Sequence, residues 1–435
     1  MTKTYRPYQP EQDFLLPPSL RDWLPENHLA YFVSDLVEQL DLSAIYAVYE
    51  KDLRGQPPYD PRLMTKLLVY GYCVGVFSAR KIEQRVVEDV AFRVLAAGNA
   101  PDFRTIADFR KIHRKALEGF FEQVLRMALE VGAVQVGRVA LDGSKVKANA
   151  SKHKAMSYGR MQEQEAIRKE VKKLLQRAAE TDAAEDRRYG RNRRGDELPE
   201  ELQRHETRLQ RIREAKQALE ARAREKAGAA GKAVAKAKPE AKEQYNFTDP
   251  ESRILKSSSE GFVQAYNAQI AVEPVMQLIV GQAVTQAAND KEQVEPMVEA
   301  IEAQSGQRPT EMLADNGYCS EKNLAYLEAA QKPEQKIAAY LAAGRQKHGE
   351  RQVSPRGPLP KGATRVERMR RKLQTKAGAA IYAARKAIVE PVFGQIKQAR
   401  GFRRFSLRGL AKVQAEWALV CATHNILKLY RLCYG

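Results

Sequence analysis

VALDGSKVKANAS, Val139–Ser151, is the stretch on which the reading of this chain turns, because here the hydrophobic period changes from that of a helix to that of a strand. From Val136 onward, Val139 and Leu141 alternate with Ala140 and Asp142, the period of two expected of a half-buried strand. The alternation returns where Tyr266, Ala268, Ile270 and Val272 interleave with Asn267, Gln269 and Ala271. Leu278, Val280 and Val284 continue it, Met312 to Asp315 begins another strand, and Ile337 to Leu341 offers a fifth. Helical signals fall between and after these strands. Asn289 or Asp290 can cap a helix through Ala303, and Glu321 to Ala330 reads as the next one.

Three consecutive strands, a helix, a strand, a helix and a last strand is the order of a ribonuclease-H-like domain. The predicted fold is therefore an α/β ribonuclease-H-like domain over 133–435, with a charged helical insert at 151–244, preceded by an all-α domain over 1–132. In the leading part, Asp60 and Pro61 form an N-cap and N1 pair before Leu63 to Tyr72, Ser78 can cap a helix through Val87, and Thr105 with Asp108 resembles a capping box opening a long helix to about Glu130. The two helices around Gly75 fit either a helix-turn-helix or a plain bundle. The insert, rich in Lys, Arg, Glu, Gln and Ala, reads as a helical hairpin, Met156 to Thr181 and Glu200 to Lys226, with a linker-like tail. It is either a solvated charged insert or an arm that straddles DNA or a second protomer.

Charge narrows the class of partner. The chain carries 73 Lys+Arg against 54 Asp+Glu, a net +19, which suits nucleic acid but is shared by proteins that bind anionic membranes or ribosomes. The distribution is more specific: from Ala343 to the end there are 21 Lys/Arg and only four acids, so the basic C-terminal segment, 343–435, supplies +17. Segments this cationic are stabilised by phosphates. No apolar run approaches the ~20 residues of a membrane helix, no secretory signal opens the chain, and Cys73, Cys319, Cys421 and Cys433 show neither a CxxC pair nor zinc-ligand spacing, so a cytoplasmic protein with free thiols is expected.

Three carboxylates stand out. Asp142 projects from the first strand just before Gly143, and Asp315 ends the strand that starts at Met312; taken singly, each also fits an ordinary turn. Glu390, in RKAIVEPVFGQIKQARGFRRF, is the only acid between Arg368 and Lys412, and a helical period places Lys386 and Lys397 near its face. An ion-pair row explains that equally well. Pro391 predicts a kink or a helix start at Glu390. Hard carboxylates on rigid elements are what a pair of Mg²⁺ ions, with Mn²⁺ as a substitute, requires for two-metal phosphodiester chemistry, one ion activating the attacking oxygen and the other stabilising the leaving one. Lys386, Lys397, Arg400, Arg403 and Arg404 are the candidate phosphate clamps, and Phe402 or Phe405 either stacks on a base or packs internally. His424, on the apolar stripe of the closing helix, reads as a hydrogen-bonded core residue, Asp249 as a turn residue and Asp290 as a helix cap.

VALDGSKVKANAS, LADNGYCSEKNL, RKAIVEPVFGQIKQARGFRRF and LRGLAKVQAEWALVCATHNILKLY resemble the blocks of bacterial insertion-sequence transposases of the DDE class, and the helical stretch YDPRLMTKLLVYGYCVGVFSARKIEQ is similar to the same group. The resemblance implies that Asp142, Asp315 and Glu390 form a metal-binding triad and that Lys397 is the lysine seven residues past the glutamate. The tyrosine and arginine of the family pattern fall one residue early, at Tyr382 and Arg385, which puts their participation in doubt. It further implies binding of double-stranded DNA, both the terminal inverted repeats and the target, cleavage at the element ends, joining of the 3′-hydroxyls to target, and assembly as at least a homodimer. A structure-specific nuclease of the same fold and a non-catalytic DNA-binding protein are the competing readings.

Overall fold

The computed structural model describes residues 19–50, 57–163, 200–229, 231, 233–257, 260–329, 336–344 and 357–435. Seven helices come first: α1 (Leu29–Gln39), α2 (Ser43–Tyr49), α3 (Pro61–Cys73), α4 (Ala79–Glu88), α5 (Val90–Ala96), α6 (Phe103–Ile112) and α7 (Arg114–Glu130). Asp60 accepts a hydrogen bond from the Arg62 amide with Pro61 at N1, so α3 starts as its sequence predicts. Two expectations change here. Asp102, not Thr105, caps α6 by accepting from the Thr105 amide, and the long helix breaks at His113. Of the pair around Gly75, α3 is buried along nearly its whole length, so only α4 keeps an outward face.

The chain then enters the sheet: β1 (Arg138–Lys147), β4 (Arg253–Ser257), β5 (Gly261–Val272), β6 (Ile279–Thr285), β7 (Glu311–Ala314) and β8 (Ala338–Leu341), with the ribbon β2 (Ala155–Ser157) and β3 (Gln244–Asn246) apart from it. β1 lies between β5, antiparallel, and β7, parallel, and β8 continues parallel beyond β7. β4 and β6 both pair antiparallel with β5. The path β6-β5-β1-β7-β8 is the strand arrangement of a ribonuclease-H-like sheet. β4 and the ribbon are additions that hydrophobic alternation did not reveal, because both strands of the ribbon have three residues and β4 has five.

The helices α9 (Val294–Ser305), α10 (Glu321–Glu328), α11 (Arg365–Gln374), α12 (Lys376–Gly394) and α13 (Leu410–Tyr434) complete this part, and α8 (Glu200–Ala229) forms the described arm of the insert. The other expected arm, Met156 to Thr181, falls mostly outside the described residues; its start is β2 followed by a helical turn. A small apolar cluster of Tyr158, Met161, Ile212, Ala215 and Leu219 fastens α8 to this base. Among the described residues, no helix is long and apolar enough to cross a membrane, and all four cysteines are free.

One apolar core runs from Ala30 to Leu429, so the leading helices and the sheet share it. Its hub is α13, which packs on α3, α7 and β6 and buries Trp417 completely. His424 is buried there with Nε2 3.0 Å from the Gln277 carbonyl, and burial pulls its pKa down to about 3, the core role expected of it. Phe402 and Phe405 are also core residues, stacked edge-on with each other and fully buried, which removes them as base-stacking candidates. A buried polar joint ties the regions together: Glu416 accepts from the amides of Ser406 (2.9 Å) and Leu407 (3.0 Å) and from the Tyr72 hydroxyl (3.3 Å), and Arg110 donates to that same hydroxyl (3.0 Å). Removing the carboxylate leaves several buried donors unpaired. Glu416→Ala should therefore lower the unfolding free energy by about 3–5 kcal/mol in chemical denaturation; a loss below about 1 kcal/mol would show that the joint is not structural.

Candidate functional site

Strand register brings the first two acids together. Leu141 of β1 is paired with Ala314 of β7, so the next residues along these parallel strands, Asp142 and Asp315, stand side by side. Asp142 Oδ1 accepts from the Gly143 amide (2.9 Å), and Asp315 turns back to accept from the Gly317 amide (2.7 Å), capping a short 3₁₀ turn, Asn316–Tyr318. Burial pushes the Asp142 pKa up to about 6; Arg385 opposes that rise, while Asp315 and Asp290 add to it.

Asp290 is the surprise. Instead of capping α9, whose N-cap is Gln293, it sits in the site. Its Oδ1 accepts from Asn267 Nδ2 (2.6 Å) and Gln269 Nε2 (2.7 Å), with Lys145 Nζ at 3.5 Å. Tyr318 donates its hydroxyl to the Oε1 of the same Gln269. Two glycines make the room: a Cβ on Gly143 would stand 2.9 Å from Asp290 Oδ1, and one on Gly317 would stand 2.9 Å from Asp315 Oδ1 and 3.6 Å from Asp290 Oδ2.

The cations come from α12 and the turn after it. Arg385 is buried, its Nη1 3.7 Å from Asp142 Oδ2, and among the described residues its Nε and Nη1 have no hydrogen-bond partner. The arginine left in doubt by the sequence thus faces the site. Tyr382 lies close enough to feel Arg385, Asp315 and Asp142, and burial pushes its phenol pKa up. Lys397, in a π-helical turn (Gln395–Ala399), donates to Ser144 Oγ and, at 3.1 Å, to the Lys145 carbonyl. Burial lowers its pKa and the neighbouring Asp142 counters that.

Glu390 does not join this group in the folded chain. It is exposed on α12, and at 3.6 residues per turn it points about 140° away from Arg385, five residues earlier. Nor does Pro391 start or end the helix there: α12 runs through it. Pro391 cannot bond the Ala387 carbonyl, and Gln277 Nε2 donates to that carbonyl instead, at 2.9 Å. Of the proposed phosphate clamps, Lys386, Arg403 and Arg404 are exposed. Arg400 is a correction: it is buried, donating to Thr423 Oγ1 (2.8 Å) and the Val420 carbonyl (3.1 Å), and so braces α13. Arg404 lines an open groove of about 650 Å³ with Lys154, Arg408, the exposed Phe262 and Lys147, which is ion-paired there with Glu260.

Asp142 and Asp315 offer hard oxygen donors, and the crowding of acids is what a divalent cation relieves. Among the described residues, no three Asp, Glu, His or Cys side chains group closely enough to hold an ion. The residues that sequence reasoning missed are Asp290, Asn267, Gln269 and Tyr318. The signal for the two amides was present: polar residues alternating through an otherwise apolar strand.

Two family models match the chain: a transposase domain (DUF772) over residues 18–112 and a transposase DDE domain over residues 235–426. No curated protein and no solved structure matches.

Because its folded-state pKa is raised, Asp142 binds its proton more tightly in the folded protein than in the unfolded chain, so stability is greatest below the unfolded value near 4 and falls as pH rises through about 6. In metal-free buffer, Asp142→Asn should change stability little at pH values below about 4 and stabilise by up to about 3 kcal/mol at pH values above about 7. Thermal melts across this range check it; a flat difference between the two proteins would contradict the burial-raised pKa of Asp142.

Proposed function

Since the chain belongs to the DDE-type insertion-sequence transposases, we propose that it binds the terminal inverted repeats of its element, cuts the DNA at their ends and joins the 3′-hydroxyls to target DNA. The observation that carries this reading is the side-by-side placement of Asp142 and Asp315 by the β1–β7 register. A divalent ion, Mg²⁺ with Mn²⁺ as a substitute, supplies when bound the Lewis acidity that activates an attacking oxygen and neutralises a leaving one. Asp142 and Asp315 would hold it.

The chain's own groups do the rest. Arg385, buried beside Asp142, steadies that carboxylate by charge. Lys397, fixed on β1 by Ser144, adds a positive charge beside Asp142. The basic groove lies along the same strand: Lys147, in its wall, is five residues from Asp142, roughly 17 Å at strand rise. It would track a backbone leaving the cut, and Lys386, Arg403 and Arg404 would bind phosphates by charge. Glu390 faces outward; in this account it joins the two aspartates only when DNA is bound. Handling two element ends together calls for at least a homodimer.

Purified protein with repeat-bearing duplex and Mg²⁺ should nick at the repeat ends and, with tagged ends, yield joined products. Asp142→Ala, Asp315→Ala and Glu390→Ala should each reduce cutting by at least about 10³-fold while sparing binding, and binding should weaken steeply with salt. Cutting without joining would make this a nuclease, and metal-dependent cutting absent from the parent protein would leave a DNA-binding protein only.

A further inference from the structure

We propose that Asp290 is a third carboxylate serving the divalent ion at Asp142 and Asp315, acting through the ion's water shell. This rests on the reading above that the two aspartates hold an ion. The argument starts from the two oxygens of Asp290. Oδ1 is saturated by Asn267, Gln269 and Lys145, whereas among the described residues no hydrogen bond reaches Oδ2. That free oxygen is the one near Asp315: the two carboxylates lie 3.6 and 2.9 Å from one point, the place a Cβ of Gly317 would take. One oxygen clamped by amides and the other open is how ligand-holding carboxylates are oriented by their neighbours.

A second observation points the same way. Asn267 is fully buried, its Nδ2 is used on Asp290, and its Oδ1 has no partner among the described residues. A buried carbonyl oxygen without a donor calls for a water or a cation beside it. The clamp also has a depth that a plain loop anchor does not need, since Gln269 is itself fixed by Tyr318 and, through its backbone carbonyl, by Trp417 Nε1 at 3.2 Å. With its open oxygen facing the Asp315 side, Asp290 contributes charge and an acceptor for bound water, which suits Mg²⁺ and its reluctance to dehydrate.

The test uses the full chain without DNA and Mn²⁺ alone as the probe, followed by electron paramagnetic resonance titration. Asp290→Asn keeps an oxygen for the Asn267 and Gln269 amides and replaces the charged, open oxygen by an NH2 donor; it should weaken Mn²⁺ binding about 10-fold or more with little change in melting temperature, while Glu390→Gln binds like the parent. Lys145→Met, which removes the cation on Asp290 and leaves the amide clamp intact, should tighten binding several-fold, an arm that holds even if the Asp290 variant folds poorly. Parent-like affinity in Asp290→Asn, or no tightening in Lys145→Met, while Asp142→Asn and Asp315→Asn weaken binding, overturns the proposal and keeps the ion site. If the last two variants also bind like the parent, the ion-site reading itself fails.

Discussion

β1 lies between an antiparallel and a parallel neighbour, and that pairing forces like charges together. With Leu141 set against Ala314, neither Asp142 nor Asp315 can leave its strand end without breaking the β1–β7 ladder. Crowded, half-buried carboxylates oppose folding, so the surroundings must offset them. Arg385 and Lys397 do so by charge at Asp142, and the Gly143 and Gly317 amides bond the carboxylates directly. The rest of the structure can be understood as what holds those groups in place at the paired strand ends.

The C-terminal helices provide most of that support. α13 fills the core on one side, and its Glu416 fastens the turn that follows the π segment, which in turn delivers Lys397 to β1. Gln277, at the β5–β6 turn with a left-handed backbone (φ 58°), bonds the carbonyl that Pro391 leaves open, and so α12 passes the proline unbroken. The basic residues of this segment divide by burial. Arg385 and Arg400 are internal and face protein groups, while Lys386, Arg403 and Arg404 remain exposed.

The strands were legible because alternating apolar residues leave a mark of period two, and β1, β5, β6, β7 and β8 lie where that mark predicted them. Asp142 and Asp315 were legible as strand-end acids. Asp290 was not, because an Asn-Asp pair before a helix looks like a cap. Asn289 makes the turn by accepting from the Lys291 amide (3.3 Å), the helix begins later at Val294, and Asp290 is released to the sheet. The direction of Glu390 was not legible for a different reason. Its spacing to Lys397 assumes a uniform α-helix, and the π turn changes the phase between them. Arg400 carried the same charge as its neighbours, and only tertiary packing distinguishes a buried brace from a surface clamp.

The central claim is that one divalent ion is held by the side chains at the paired ends of β1 and β7. Crystals soaked in Mn²⁺ and measured at the manganese absorption edge test it most directly. The account predicts an anomalous peak within coordination distance of both the Asp142 and the Asp315 carboxylates. A peak elsewhere, or none at a Mn²⁺ concentration that supports DNA cutting, would contradict it.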